Sequence, residues 1–146
     1  MSERADLAVE CFEQGYNCAQ AVVAASAGDM GMEQEQILRL ASSFGGGMGR
    51  LREVCGAMTG LFMVAGARYG YSDIDDKEAK TRHYQLIQDL AAQFREQFGS
   101  IICRDLLLPD DAGTDPTPSD RTQEYYQRRP CADYVRFAAA LLDKLE

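Results

Sequence analysis

The sequence has no tryptophan, one histidine (His83) and only four prolines among 146 residues. One histidine excludes a histidine-rich metal site. It also argues against a Ser-His-Asp triad, because Asp75, Asp76 and Asp89 merely share the helix expected around His83. No Cys-x-x-Cys pair occurs, which argues against a thioredoxin-type motif and against a zinc ribbon. No Cys-x-x-Cys-His occurs either, so covalent haem attachment has no basis. Positive charge is scarce: 15 Lys and Arg stand against 23 Asp and Glu, for a net charge of −8. Such a balance disfavours nucleic-acid binding and repels an anionic membrane surface. Long apolar runs are also missing. The longest uncharged stretches, residues 14–28 and 54–67, are both shorter than the roughly 20 residues that span a bilayer. Residues 1–13 carry acidic side chains and no apolar run, unlike a signal peptide. The expected compartment is therefore the cytoplasm, where thiols stay mostly reduced.

What is present suits a single domain over residues 1–146. A chain of this length buries roughly 70% of its unfolded surface and needs no disulfide framework. Its periodicity is helical throughout, so the expected fold is an all-α compact bundle. Helices are expected at 3–14 (capped by Ser2, with Leu7, Ala8, Cys11 and Phe12 on one stripe), 18–27 (capped by Asn17 and closed by Gly28) and 33–44 (with Ile37, Leu40, Ala41 and Phe44 on one stripe). A buried, glycine-bearing helix is expected at 51–69, where Gly56 and Gly60 share a face and admit a close neighbour, in this chain or in a second copy. A long helix is expected at 74–98 with Tyr84, Ile87, Phe94 and Phe98 inward, and shorter ones at 100–107 and 122–128. The last begins near Pro130 and ends near Leu145. Residues 109–120, PDDAGTDPTPSD, read as a polar loop long enough to be mobile or functional. Tyr125-Tyr126 and Arg128-Arg129 read as solvated surface.

Two features carry chemistry. The first is Gly45-Gly46-Gly47-Met48-Gly49, which cannot be comfortable helix or strand. It is not a Walker A loop, since no Lys-Ser/Thr follows. Its amides could cradle an anion beside Arg50 and Arg52, although a plain backbone crossing explains the glycines as well. Gly46, Gly47 and Gly56 are the candidates for close backbone approach to a bound group near Cys55. The second is the set of five cysteines. Cys18, Cys55, Cys103 and Cys131 are expected in or near the first turn of four different helices, where free amides and the helix dipole stabilise a thiolate. Cys11 falls mid-helix on an apolar face. Free cysteine is also a common packing residue, so each one taken alone has a purely structural reading.

The segments Gly15-Tyr16-Asn17-Cys18-Ala19-Gln20-Ala21-Val22, Phe44-Gly45-Gly46-Gly47-Met48-Gly49 and Cys55-Gly56-Ala57-Met58-Thr59-Gly60 resemble the redox-active proteins of the C_GCAxxG_C_C family. The resemblance covers nearly the whole chain. It implies a shared redox site of four cysteines: Cys18, Cys55, Cys103 and Cys131, with Cys11 outside the pattern. Two chemistries follow. Four thiolates could bind an iron–sulfur cluster or a single metal ion for electron transfer, which needs all sulfurs close to one centre. Alternatively, two cysteines form a reversible disulfide without metal, the others relaying or resolving it. Competing readings are a helical interaction module with structural cysteines, and a structural zinc domain. The expected partner is a redox protein, with no nucleic acid and no membrane insertion. A homo-oligomer is open, and the expected role of His83 is helix packing or surface.

Overall fold

The computed structural model describes residues 2–145, and among them it is helical with no strand. The expected all-α bundle is what forms. Helix α1 (Glu3–Glu13) starts where the Ser2 hydroxyl accepts the Ala5 amide, with Glu3 and Asp6 at the positive end of the helix dipole. Gly15, at φ +116°, turns the chain out of it. Helix α2 (Cys18–Ala24) opens with a full capping box: the Asn17 side chain accepts the Gln20 amide, and the Gln20 side chain accepts the Asn17 amide. A separate short helix, α3 (Ala27–Met30), follows and ends at the left-handed Gly31, not at Gly28. Helix α4 (Gln34–Ala41) then runs into a single 3-10 turn, Ser42–Phe44.

The glycine run is a turn of left-handed helix, α5 (Gly45–Met48). Five consecutive residues, Gly46 to Arg50, have φ between 60° and 70°. L-residues with a Cβ avoid this region, which explains three of the glycines. Met48, Arg50 and Arg52 (φ 61°) occupy it nonetheless. Because left-handed φ runs through Arg50 and returns at Arg52, a right-handed helix cannot begin at Leu51 as the sequence suggests. Residues 53–55 instead lie outside any helix, pair Val54 with Ile102 in one antiparallel bridge, and delay α6 to Gly56–Tyr69.

Helix α6 is the centre of the bundle. Met58, Leu61, Val64 and Ala65 are fully buried, and α2, α10 (Cys131–Asp143) and the first residues of α7 (Lys77–Phe98) are gathered around it. Gly60 is what permits the α2 contact: a Cβ there would lie 2.8 Å from the Ala19 carbonyl oxygen. The small-residue face of Gly56 and Gly60 is thus filled by α2 of the same chain, not by a second copy. Helix α7 starts at Lys77, later than expected, with Asp76 accepting the Ala79 amide. Its buried stripe is Leu90, Ala91 and Phe94, while Tyr84 stays half exposed. Phe94 and Phe98 join Tyr134 and Phe137 of α10 in an aromatic cluster with ring centres 4.8–6.0 Å apart. The short helices α8 (Cys103–Leu106) and α9 (Gln123–Arg128) complete the order. Leu7 and Leu40, expected inward, are 45% and 53% exposed, because neither helix has a neighbour on that side. No helix among the described residues is long and apolar enough to cross a membrane.

Candidate functional site

The four cysteines do sit at four helix starts. Cys18, Cys103 and Cys131 are the first residues of α2, α8 and α10, and Cys55 is the residue that caps α6. Pro130 lies one position earlier than expected, as the cap of α10 rather than inside it. The bridge at Val54 and Ile102 joins two of these starts. The Cys55 amide donates to the Ile101 carbonyl at 2.8 Å, and the Cys103 amide to the Glu53 carbonyl at 2.6 Å. The capping box sets Cys18, and α10 carries Cys131 in from the other side.

All four line one cavity of about 280 Å³, whose wall also includes Gly45, Gly46, Gly47, Gly49 and Gly56. The left-handed turn is packed tightly into this wall. A Cβ on Gly47 would lie 2.6 Å from the Cys103 Cβ and 2.8 Å from the Arg52 Cα. One on Gly45 would fall 2.3 Å from the Asn17 side chain, and one on Gly56 3.2 Å from the Cys18 Cβ. Close approach of the chain to itself therefore accounts for Gly45, Gly47 and Gly56, whereas Gly46 would meet only the flexible Arg50 side chain, at 2.7 Å.

The thiols differ in their electrostatics. Cys18 and Cys131 face the same cavity and interact, so their titrations shift in opposite directions. The neighbouring Cys18 thiol holds Cys131 below the usual range against the cost of burial, with the guanidinium groups of Arg129, Arg121 and Arg52 adding to it. The neighbouring Cys131, together with burial, holds Cys18 well above the usual range. Burial pushes Cys55 up to about 12, despite the amides of Ala57 and Met58. Cys103 is also raised by burial, opposed by the Arg52 Nη1 donor at 3.7 Å from its sulfur. Cys131 is thus the thiol that ionises first.

The arginines are the residues that sequence reasoning partly missed. Arg50, Arg52, Arg121 and Arg129 all line the cavity, and the lining includes no Asp or Glu. Arg52 is buried, at 3% exposure, with Nε donating to the Gly113 carbonyl at 3.0 Å. Arg50 Nε donates to the Asp115 carbonyl at 2.6 Å. The 109–120 segment is therefore pinned over the site by its own carbonyls, with Pro116, Pro118 and Ser119 in the wall. Arg121 lies over the Phe12 ring at 4.4 Å and donates to the Phe12 and Tyr16 carbonyls. Tyr125 and Arg129, read from the sequence as solvated, face the cavity, with the Arg129 guanidinium 4.7 Å over the Tyr125 ring. Only a wall built from the far end of the chain explains them, and a dipeptide carries no sign of that. Arg128 is exposed as expected.

Two candidates lie elsewhere. Cys11 is buried in α1 and does not reach the cavity. His83 lines a second, separate cavity with Tyr69, Arg82 and Leu86. The metal reading can be tested against the donor set. Among the described residues, no three Cys, His, Asp or Glu side chains are grouped so as to hold a metal ion. The four cysteines line one cavity without forming such a group.

A family model described as "Putative redox-active protein (C_GCAxxG_C_C)" matches residues 16–145. No curated protein and no solved structure matches the chain.

Proposed function

Because the chain belongs to the C_GCAxxG_C_C family of redox-active proteins, we propose that it performs thiol–disulfide exchange with Cys131 and Cys18 as the working pair. The observation that carries this reading is that both thiols line one cavity as the first residues of α2 and α10, interacting with one another, with Arg129, Arg121 and Arg52 favouring the Cys131 thiolate. Cys131, as thiolate, attacks one sulfur of a substrate disulfide. A mixed disulfide forms and one substrate thiolate leaves. Cys18 gives up its proton to that leaving thiolate and attacks the Cys131 sulfur. The Cys18–Cys131 disulfide forms and the second substrate thiolate departs. Two electrons pass from the protein dithiol to the substrate, and no other reactant is needed.

Cys55 and Cys103 stay protonated at neutral pH and form the inner wall. A cytoplasmic location and a thiol-disulfide partner go with this reading, since a reducing compartment regenerates the dithiol. The test is oxidation of the reduced protein with a stoichiometric small disulfide, followed by thiol counting and peptide mapping. The expected result is loss of two thiols and one linked peptide pair, Cys18 with Cys131. A Cys55–Cys103 link, or no intramolecular link, overturns the reading. So does iron with labile sulfide in protein purified without air and lost in Cys55→Ser, which would favour a cluster.

A further inference from the structure

The cysteine cavity is lined by four guanidinium groups and no carboxylate, in a chain whose net charge is −8. Three of the arginines have oxygen acceptors that hold them. Arg121 reaches two carbonyls and the Tyr126 hydroxyl, Arg129 reaches the Asp111 carbonyl, the Asp111 carboxylate (3.9 Å) and Ser119, and Arg50 reaches the Asp115 carbonyl. Arg52 differs. Its Nε and Nη1 are used, but Nη2 is buried and has no acceptor among the described residues. A buried donor of a charged group left without an acceptor is costly, and Arg52 belongs to the cavity wall. An anion in the cavity would supply the charge that pairs with this guanidinium.

Size narrows the ligand. A volume of about 280 Å³ corresponds to roughly nine water molecules at their liquid share of about 30 Å³ each. It admits a small molecule and not a folded chain. We propose that the cavity binds a small carboxylate-bearing disulfide, its carboxylate against the Arg52 guanidinium and its sulfur at Cys131, so that the substrate is a low-molecular-weight acidic disulfide. This rests on the exchange reading above. The exchange step is unchanged: both product thiols leave as acidic small thiols, and the protein keeps the Cys18–Cys131 bond. A carboxylate suits the Arg52 guanidinium because a hydrogen bond between two charged partners is stronger than one to a neutral acceptor.

The test compares three disulfides of one short skeleton as oxidants of the reduced protein: dithiodiglycolate (anionic), bis(2-hydroxyethyl) disulfide (neutral) and cystamine (cationic). Each rate is divided by the rate of the same compound with dithiothreitol. The expected order is anionic above neutral above cationic, with the anionic compound ahead of the neutral one by about tenfold or more. The overall negative charge of the protein acting at a distance would give the reverse order. Arg52→Gln brings the anionic-to-neutral ratio close to one, Arg52→Lys keeps part of it, and Arg128→Gln, outside the cavity, keeps all of it. Titration of the wild-type protein with thiodiglycolate, a thioether that cannot exchange, reads the anion site without any variant or redox step. Saturable binding of thiodiglycolate together with the anionic preference supports the proposal. No binding, or no preference among the three disulfides, overturns it. If no Cys18–Cys131 bond forms with any of them while thiodiglycolate still binds, the exchange reading fails and only the anion site stands.

Discussion

Gly60 and Gly66 lie on the same central helix, and the same substitution should act on them with opposite sign. In isolation, glycine inside a helix costs about 1 kcal/mol relative to alanine. At Gly66 nothing lies within 4 Å of a new Cβ, and φ is in the ordinary range. Gly66→Ala should therefore stabilise the protein by about 0.5–1 kcal/mol. At Gly60 the Cβ would meet the Ala19 carbonyl oxygen at 2.8 Å, the Val22 Cβ at 3.1 Å and the Ala19 Cα at 3.3 Å. Two of these are backbone and cannot swing away, so α2 must shift. Overpacking of this kind costs about 1–3 kcal/mol and outweighs the propensity gain. A difference of about 2 kcal/mol between the two variants follows, or roughly 4–8 °C in Tm for a domain of this size. Urea unfolding followed by circular dichroism at 222 nm measures it. Because α2 carries Cys18, Gly60→Ala should also slow formation of the Cys18–Cys131 disulfide, whereas Gly66→Ala should not. Equal stabilities for the two variants, or Gly66→Ala as the weaker, would refute the packing argument.

Alkylation of the native protein with iodoacetamide should label Cys131 before the other thiols, with a rate that rises through a pH below 9.0. Cys55, raised to about 12, should stay unlabelled until the chain unfolds. Arg129→Gln should move the Cys131 profile to higher pH, since that guanidinium stabilises the thiolate. Asp143 is raised by partial burial but lowered overall by hydrogen bonds from Ser2 and Arg4. Its contribution is therefore present at neutral pH and lost as pH falls through and below its ordinary value of 3.8. Asp143→Asn should cost up to about 1 kcal/mol at pH 7, after allowing for solvent screening, and progressively less by thermal unfolding as pH falls below 3.8. Gly47→Ala combines a left-handed φ of 69° with a Cβ 2.6 Å from that of Cys103. It should destabilise by about 2 kcal/mol or more and raise the reactivity of Cys103, read by urea unfolding and thiol labelling.

Much of the fold can be read from local signals, because helix starts are local events. Ser2, Asn17, Asp76 and Thr122 accept amides three residues on, within one turn of chain. Those caps, the glycine spacing in α6 and the motif from Cys55 to Gly60 determine by themselves an all-α domain with four helix-start cysteines. Other features depend on contacts distant in sequence. The start of α6 moved to Gly56 because a left-handed turn feeds Arg52, and the register of Cys55 against Cys103 is set by a bridge between residues 54 and 102. Tyr125 and Arg129 become cavity residues only when α9 and the 109–120 segment fold back over Arg50 and Arg52. Leu7 and Leu40 stay exposed because no helix packs on them. Which two thiols interact, and which of them ionises more readily, follows from the packing of α2 against α10 and from three arginines around them. A sequence can specify a helix start within a few residues of itself. Coulomb interactions between Cys18, Cys131 and their arginines act over a few ångströms of space, and only the packed tertiary structure brings residues so far apart in the chain within that range.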